Sequence, residues 1–412
     1  MTLRALLVVI LMVICAPALA ASAKIRPAPA KMPVPPMVFY VAKGAADACG
    51  RGCDRWIAVE GQVDSGAAPR FRKFLQKIRD RNLPIYFASP GGNVDQAVAM
   101  GDMLRERPVV ARVARTVVRE CGFEAQDSAA CIRLKQSGRE LHGDLWTRGA
   151  MCNSACPYLI LGATTREIAP DAVLGVHSPK VILQFSGGTP TQQMLAAATQ
   201  RGLERLDHLL SHYVVKMGAE PALLVAASTV KYQDIHVLTR EEIVRFGIDR
   251  RELVETPWTF ENSGRSMVRK ASAQKNDGDK SYRMSQWRLL CFNTEQFELA
   301  FQHQATPSIF PTVMISNGGS TSSYFSSPPV KLQGFELWGL RMTRASVQSL
   351  ADAPNFDVTE ASQAADGRRL AHTAKFSSDG LATALASLLE TCPPPKNSVF
   401  QQTSLPRDGA VK

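Results

Sequence analysis

Cysteine placement constrains this 412-residue chain more than any other feature. Of its nine cysteines, Cys15 falls in an apolar N-terminal stretch and the other eight are spread over the rest: Cys49, Cys53, Cys121, Cys131, Cys152, Cys156, Cys291 and Cys392. Arg4 precedes the apolar run Ala5 to Cys15, and Pro17 and Ala18-Leu19-Ala20 follow, the order of a secretory signal with cleavage expected after Ala20. A membrane span needs about 20 apolar residues, more than this interrupted run offers, so no stable membrane span is expected after signal cleavage. The chain is read as periplasmic or secreted, and Cys15 is expected to leave with the signal.

An even number of cysteines in an exported chain points to disulfides before metal. Eight allow about 105 connectivities. Local pairing is the simplest expectation: Cys49 with Cys53, Cys121 with Cys131, Cys152 with Cys156, and Cys291 with Cys392. The CxxxC pairs lack the CxxC spacing of structural zinc, and oxidised thiols cannot ligate, so no metal is expected.

Residues 21–38 form a proline-rich leader, and 259–281 is polar, glycine-containing and without apolar period, as linkers are. Two domains are expected on either side, 39–258 and 282–392, with a tail at 393–412. In the first, Trp56 to Glu60 and Pro84 to Ala88 look like buried strands flanking a helix at Pro69 to Arg79, with Phe71, Phe74, Leu75 and Ile78 at helical spacing. Asn93 to Arg105, Pro108 to Val113 and Ala172 to His177 continue the alternation as helix, strand and strand, which makes the domain α/β. Thr191 to Met217 is a long amphipathic helix. His208 and His212 lie four apart on it, without the intervening glutamate of a metalloprotease site, and read as surface histidines. Thr239 and Glu242 form a capping box before a helix that Gly247 stops. The second domain alternates short strands with Gly/Ser loops and ends in the helix Leu381 to Leu389. It is read as α+β, with no charged cluster attached to chemistry.

Bulk composition is that of an ordinary globular protein, 45% hydrophobic and 21% charged. The net charge of +11 has no basic run with interleaved aromatics behind it, so nucleic acid is not expected as a partner.

Three short segments carry candidate chemistry. Ser89-Pro90-Gly91-Gly92-Asn93 sits where a strand meets a helix, and its glycines leave backbone N–H groups free to hold an oxyanion. In Cys152-Asn153-Ser154-Ala155-Cys156 a serine follows a strand and opens the apolar helix Pro157 to Leu161, as a nucleophile or as an N-cap. His177 ends the strand Val173-Leu174-Gly175-Val176, at a carboxyl edge where α/β sites gather, with a pKa suited to a general base.

Taken in order, Trp56-Ile57-Ala58-Val59-Glu60-Gly61-Gln62-Val63, Ile85-Tyr86-Phe87-Ala88-Ser89-Pro90-Gly91-Gly92, Ser154-Ala155 and Gly175-Val176-His177-Ser178-Pro179 resemble the ClpP branch of the ClpP/crotonase superfamily over residues 55 to 255. With the export signal and the CxSAC motif, the chain is similar to bacterial periplasmic ClpP-like proteins. The resemblance implies a ββα spiral domain, Ser154 as nucleophile and His177 as base, with N–H groups of Gly91, Gly92 and Ala155 as oxyanion hole. It also implies a peptide or protein substrate, no cofactor, and a homo-oligomer built through the 191–217 helix. The family's aspartate has no counterpart at Val230 or Lys231; Asp234 is the nearest candidate. Thr116 to Leu145, taken as 116–145, is an insertion before the nucleophile strand, placed to lid the site or bind a partner.

The functional expectation is an exported serine hydrolase, probed against a catalytically inactive ClpP-like scaffold or binding protein, which the missing aspartate favours. An acyl-CoA enzyme of the crotonase branch fits an exported chain poorly, and a nucleophilic Cys152 or Cys156 requires a free thiol in an oxidising compartment. No GxxxxGK[ST] loop is present, so energy-driven unfolding of a substrate requires another protein.

Overall fold

The computed structural model describes residues 34–395, apart from 184, 186–188, 263, 277, 306–311, 318–321, 325–328 and 364–368. The expected signal at 1–20, the leader up to residue 33 and the tail from 396 lie outside the described residues.

Chain order in the first half is β1 (Val38–Lys43), β2 (Arg55–Glu60), α1 (Ala67–Lys77), β3 (Ile85–Ala88), α2 (Val94–Arg105), β4 (Val110–Val113), β5 (Arg115–Val118), α3 (Ala129–Lys135) and β6 (Leu141–Trp146). There follow β7 (Met151–Asn153), α4 (Cys156–Leu161), β8 (Thr165–Glu167), β9 (Val173–Val176), α5 (Gln192–Lys216), α6 (Ala222–Ser228), β10 (His236–Val237) and α7 (Arg240–Arg245). A seven-stranded sheet runs β5-β6-β1-β2-β3-β4-β8, with parallel pairing from β2 through β3 and β4 to β8. β2 is buried at every position after Arg55 because both faces of a central parallel strand are covered. Ile57 and Val59 face a core shared with Phe71 of α1 and Met100 of α2, while Trp56 and Ala58 face a second core with Tyr40, Cys121 and Cys131. The α/β class expected for this half is what the structure has.

The leader ends earlier than residue 38. Gln62 N–H bonds Pro35 O at 2.9 Å, Met37 N–H bonds Asp64 at 3.1 Å, and Met37 is 1% exposed, so a core methionine overrides the proline-rich composition around it. Residues 116–145 are part of the sheet: β5 and β6 pair antiparallel and β6 adds to β1. Behind them Lys135 Nζ meets Glu60 at 2.8 Å, and Glu60 also accepts from Tyr40 Oη and the Thr116 N–H.

The second half comprises β11 (Leu253–Glu255), β12 (Thr259–Glu261), β13 (Met267–Lys275), β14 (Tyr282–Asn293), β15 (Gln296–Gln304), β16 (Thr312–Ser316), β17 (Ser322–Tyr324), β18 (Val330–Leu332) and β19 (Phe335–Thr343). It closes with α8 (Arg344–Asp352), β20 (Asn355–Gln363), β21 (Arg369–Ser377) and α9 (Leu381–Thr391). One antiparallel sheet runs β11-β13-β14-β15-β19-β18, with β12 beside β13, and another runs β17-β16-β20-β21. Trp287 stacks on Phe301 and meets Phe356 and Phe376 edge-on in their common core.

The segment expected as a linker, 259–281, instead carries β12 and β13. Its polar residues are not solvated. Lys270 is fully buried against Glu255 at 2.9 Å and the Thr256 carbonyl at 2.7 Å, and Arg269 reaches back to Asp171 at 2.6 Å. Sequence composition therefore reads as linker where the strand buries charge in pairs. Pro35 onward forms one compact unit rather than two bodies on a tether. The charged cluster not seen in the sequence of this half is Arg283, His303, Glu336 and Glu360, brought together from four strands.

Four disulfides join Cys49–Cys53, Cys121–Cys131, Cys152–Cys156 and Cys291–Cys392. They suit an oxidising compartment. Among the described residues no helix is long and apolar enough to cross a membrane.

Candidate active site

A small sheet, β10-β9-β7, stands beside the large one. β7 and β9 are parallel, with Asn153 opposite Gly175, and an isolated bridge between Ser89 and Cys152 joins β7 to the end of β3. Three chain segments expected to carry chemistry thus converge. Asn153 N–H bonds Ser89 O at 3.0 Å, and Ser154 N–H bonds Gly175 O at 2.8 Å.

Ser154 is the first residue past β7 and has φ +61°, one of three non-glycine residues with positive φ among those described. That left-handed conformation costs on the order of 1–2 kcal/mol and persists only where its surroundings impose it. Here they do. The Cys152–Cys156 bridge spans the turn, the Ser154 N–H is tied to β9, and Gly91 lies against it. Ser154 is not an N-cap, because Ala155 takes that position and no side chain caps α4. Ser154 is half-buried, on a strained strand-to-helix turn of the kind that can present a serine hydroxyl.

Gly91 and Gly92 have φ of +98° and +139°. A Cβ on Gly91 would lie 2.5 Å from Asn153 O and from Ser154 Cβ, and one on Gly92 would lie 2.3 Å from Val63 O. The pair is therefore a close-approach device. Of the three N–H groups expected in the oxyanion hole, that of Gly91 is committed to Ser89 Oγ at 3.1 Å. Those of Gly92 and Ala155 donate to no other described residue.

His177 follows β9 directly and is 9% exposed. Burial holds its pKa below the ordinary 6.5, so the ring is neutral at neutral pH and able to accept a proton. Its Nδ1 is buried without a hydrogen-bond partner. Asp234 does not supply one: it is exposed, its N–H closes a turn onto Lys231 O at 2.9 Å, and no carboxylate acts on the titration of His177. The neighbour that packs on His177 is Tyr232, with ring centroids 5.1 Å apart, and Lys180 covers Tyr232 in turn.

Two residues of the site were not expected from sequence. Tyr232 had only its position beside Lys231 to mark it. In the sequence Asn153 stands out only as a neighbour of the serine, yet its Oδ1 is buried without a partner and would lie 2.5 Å from a Cβ on Gly175, two residues before His177. Gly175 is bare so that this amide can lie over the strand. Elsewhere, His208 and His212 are both exposed on α5.

Comparison with protein-family models and with curated proteins gives no match for this chain.

Proposed function

We propose that the chain is an exported serine hydrolase similar to the ClpP branch of the ClpP/crotonase superfamily, cleaving peptide bonds through an acyl-enzyme on Ser154. The observation that carries this reading is Ser154 at φ +61° on a disulfide-spanned turn, bonded through its N–H to the strand that ends at His177. In the proposed reaction His177 takes the proton of Ser154 as the hydroxyl attacks the carbonyl carbon. The tetrahedral oxygen is held by the N–H groups of Gly92 and Ala155, and the proton passes to the leaving amine. Water then attacks the ester, returning the hydroxyl to Ser154. Met151, Tyr232 and Ile235 are large apolar side chains more than two-fifths exposed around this turn, which suits an apolar residue of an extended peptide.

A second reading, a catalytically inactive scaffold with the same fold, is favoured by one observation. No carboxylate acts on His177, and besides burial only the Ser178 backbone does, so no acid stabilises the imidazolium formed when the ring takes a proton. Hydrolysis of a quenched peptide library by the purified oxidised chain separates the two: cleavage lost in Ser154→Ala supports the hydrolase, and equal cleavage in wild type and variant removes Ser154 from the mechanism.

A further inference from the structure

At the far end of α2 from Gly92, about 15 Å along the helix, an open groove of about 720 Å³ runs between α1 and α2. Its floor is apolar. Leu75, Ile78 and Met103 are half-buried there against the main core. Its walls carry Arg72, Arg81 and Arg107, none of which forms an ion pair with another described residue.

Arg107 is the unusual member. It is 8% exposed, and its Nε is buried with no hydrogen-bond partner. The charge that acts on it is Arg81, of the same sign, so burial and repulsion both disfavour the cation. The carboxylates nearby do not compensate: Asp102 is engaged by Lys216 at 2.8 Å, and Arg81 reaches Glu106 through the main-chain carbonyl rather than the carboxylate. Two adjacent guanidiniums, one of them buried, are expensive without a counter-ion.

We propose that this groove binds an anionic head group carried on an apolar chain, with Arg81 and Arg107 on the head and Leu75, Ile78 and Met103 under the chain. A guanidinium presents parallel N–H donors that match the two oxygens of a carboxylate or phosphate. The floor distinguishes such a ligand from a bare anion. Glu106 on the rim disfavours heads of high charge.

Calorimetric titration of the full mature chain with octanoate, octyl phosphate, octanol and inorganic phosphate tests this, the first two arms identifying the head group. The expected result is binding of octanoate or octyl phosphate, with octanol and inorganic phosphate each at least about tenfold weaker, and a loss of at least about tenfold in both Arg107→Gln and Arg81→Glu. Arg81 is exposed, so its variant carries the test if Arg107→Gln fails to fold. Three outcomes overturn the proposal: no heat with either amphiphile, octanol or inorganic phosphate binding as well as they do, or affinity unchanged in the variants. Hydrolysis at Ser154 is unaffected by any of them.

Discussion

A methyl group on Gly91 would fall 2.5 Å from the Cβ of Ser154, and the backbone at Gly91 has φ +98°. Gly91→Ala must therefore move the serine or the turn that holds it. Because a misplacement of about 1 Å costs on the order of 100-fold in catalysis, peptide cleavage in Gly91→Ala is expected to fall by about that factor while circular dichroism stays that of the wild type. Undiminished cleavage would show that the serine does not need this contact.

Acidification acts on His177 in a definite direction. Burial lowers its pKa, so the unfolded chain takes up a proton at higher pH than the folded one. The stability this contributes is complete above the unfolded value near 6.5 and declines as pH falls from there through the folded value. His303, lowered by burial and by Arg283, adds in the same sense. Thermal unfolding between pH 7 and 5 should show a falling midpoint, reduced in His303→Gln. Peptide cleavage should fall on acidification with an acid limb below pH 6.5, where the base is lost.

Lys135 and Glu60 are an ion pair with side chains 3% and 10% exposed. Lys135→Met leaves that carboxylate with only the Tyr40 and Thr116 donors, and is expected to cost about 3–5 kcal/mol in denaturant unfolding. Glu60→Gln combined with Lys135→Met should recover most of the loss, since the amide oxygen still accepts from the Thr116 N–H while the amide NH2, in place of the other oxygen, donates to the Tyr40 hydroxyl. A single variant as stable as wild type would mean that the insertion is not anchored there.

Much of the α/β order was legible because its strands are short apolar runs between periodic helices, as in Trp56 to Glu60 and Asn93 to Arg105. The capping box of Thr239 and Glu242 forms as its spacing predicts. What escaped is long-range. β13 reads as a linker because Arg269 and Lys270 find their acids at Asp171 and Glu255. The His303 cluster needs four strands to assemble it. At the site, the spacing marked Ser154, His177 and the glycines, but the open Nδ1 and the packing of Tyr232 on His177 follow from tertiary pairing of β10 with β9.

The Cys152–Cys156 bridge spans the turn at Ser154. With both cysteines replaced by alanine, the φ of +61° loses one of its restraints, and cleavage is expected to fall about tenfold or more with a modest loss in stability, because so short a loop adds little chain entropy. Full activity in the double variant would assign the bridge to folding alone.

The most direct test of the central claim is covalent labelling of the oxidised chain by a fluorophosphonate probe, with the modified residue located by peptide mass spectrometry. Label on Ser154, lost in Ser154→Ala and strongly reduced in His177→Ala while both variants remain folded, is the predicted result. Label on another serine would contradict an activated Ser154, and an unlabelled wild type under oxidising and reducing conditions would contradict it and leave the inactive scaffold as the better reading.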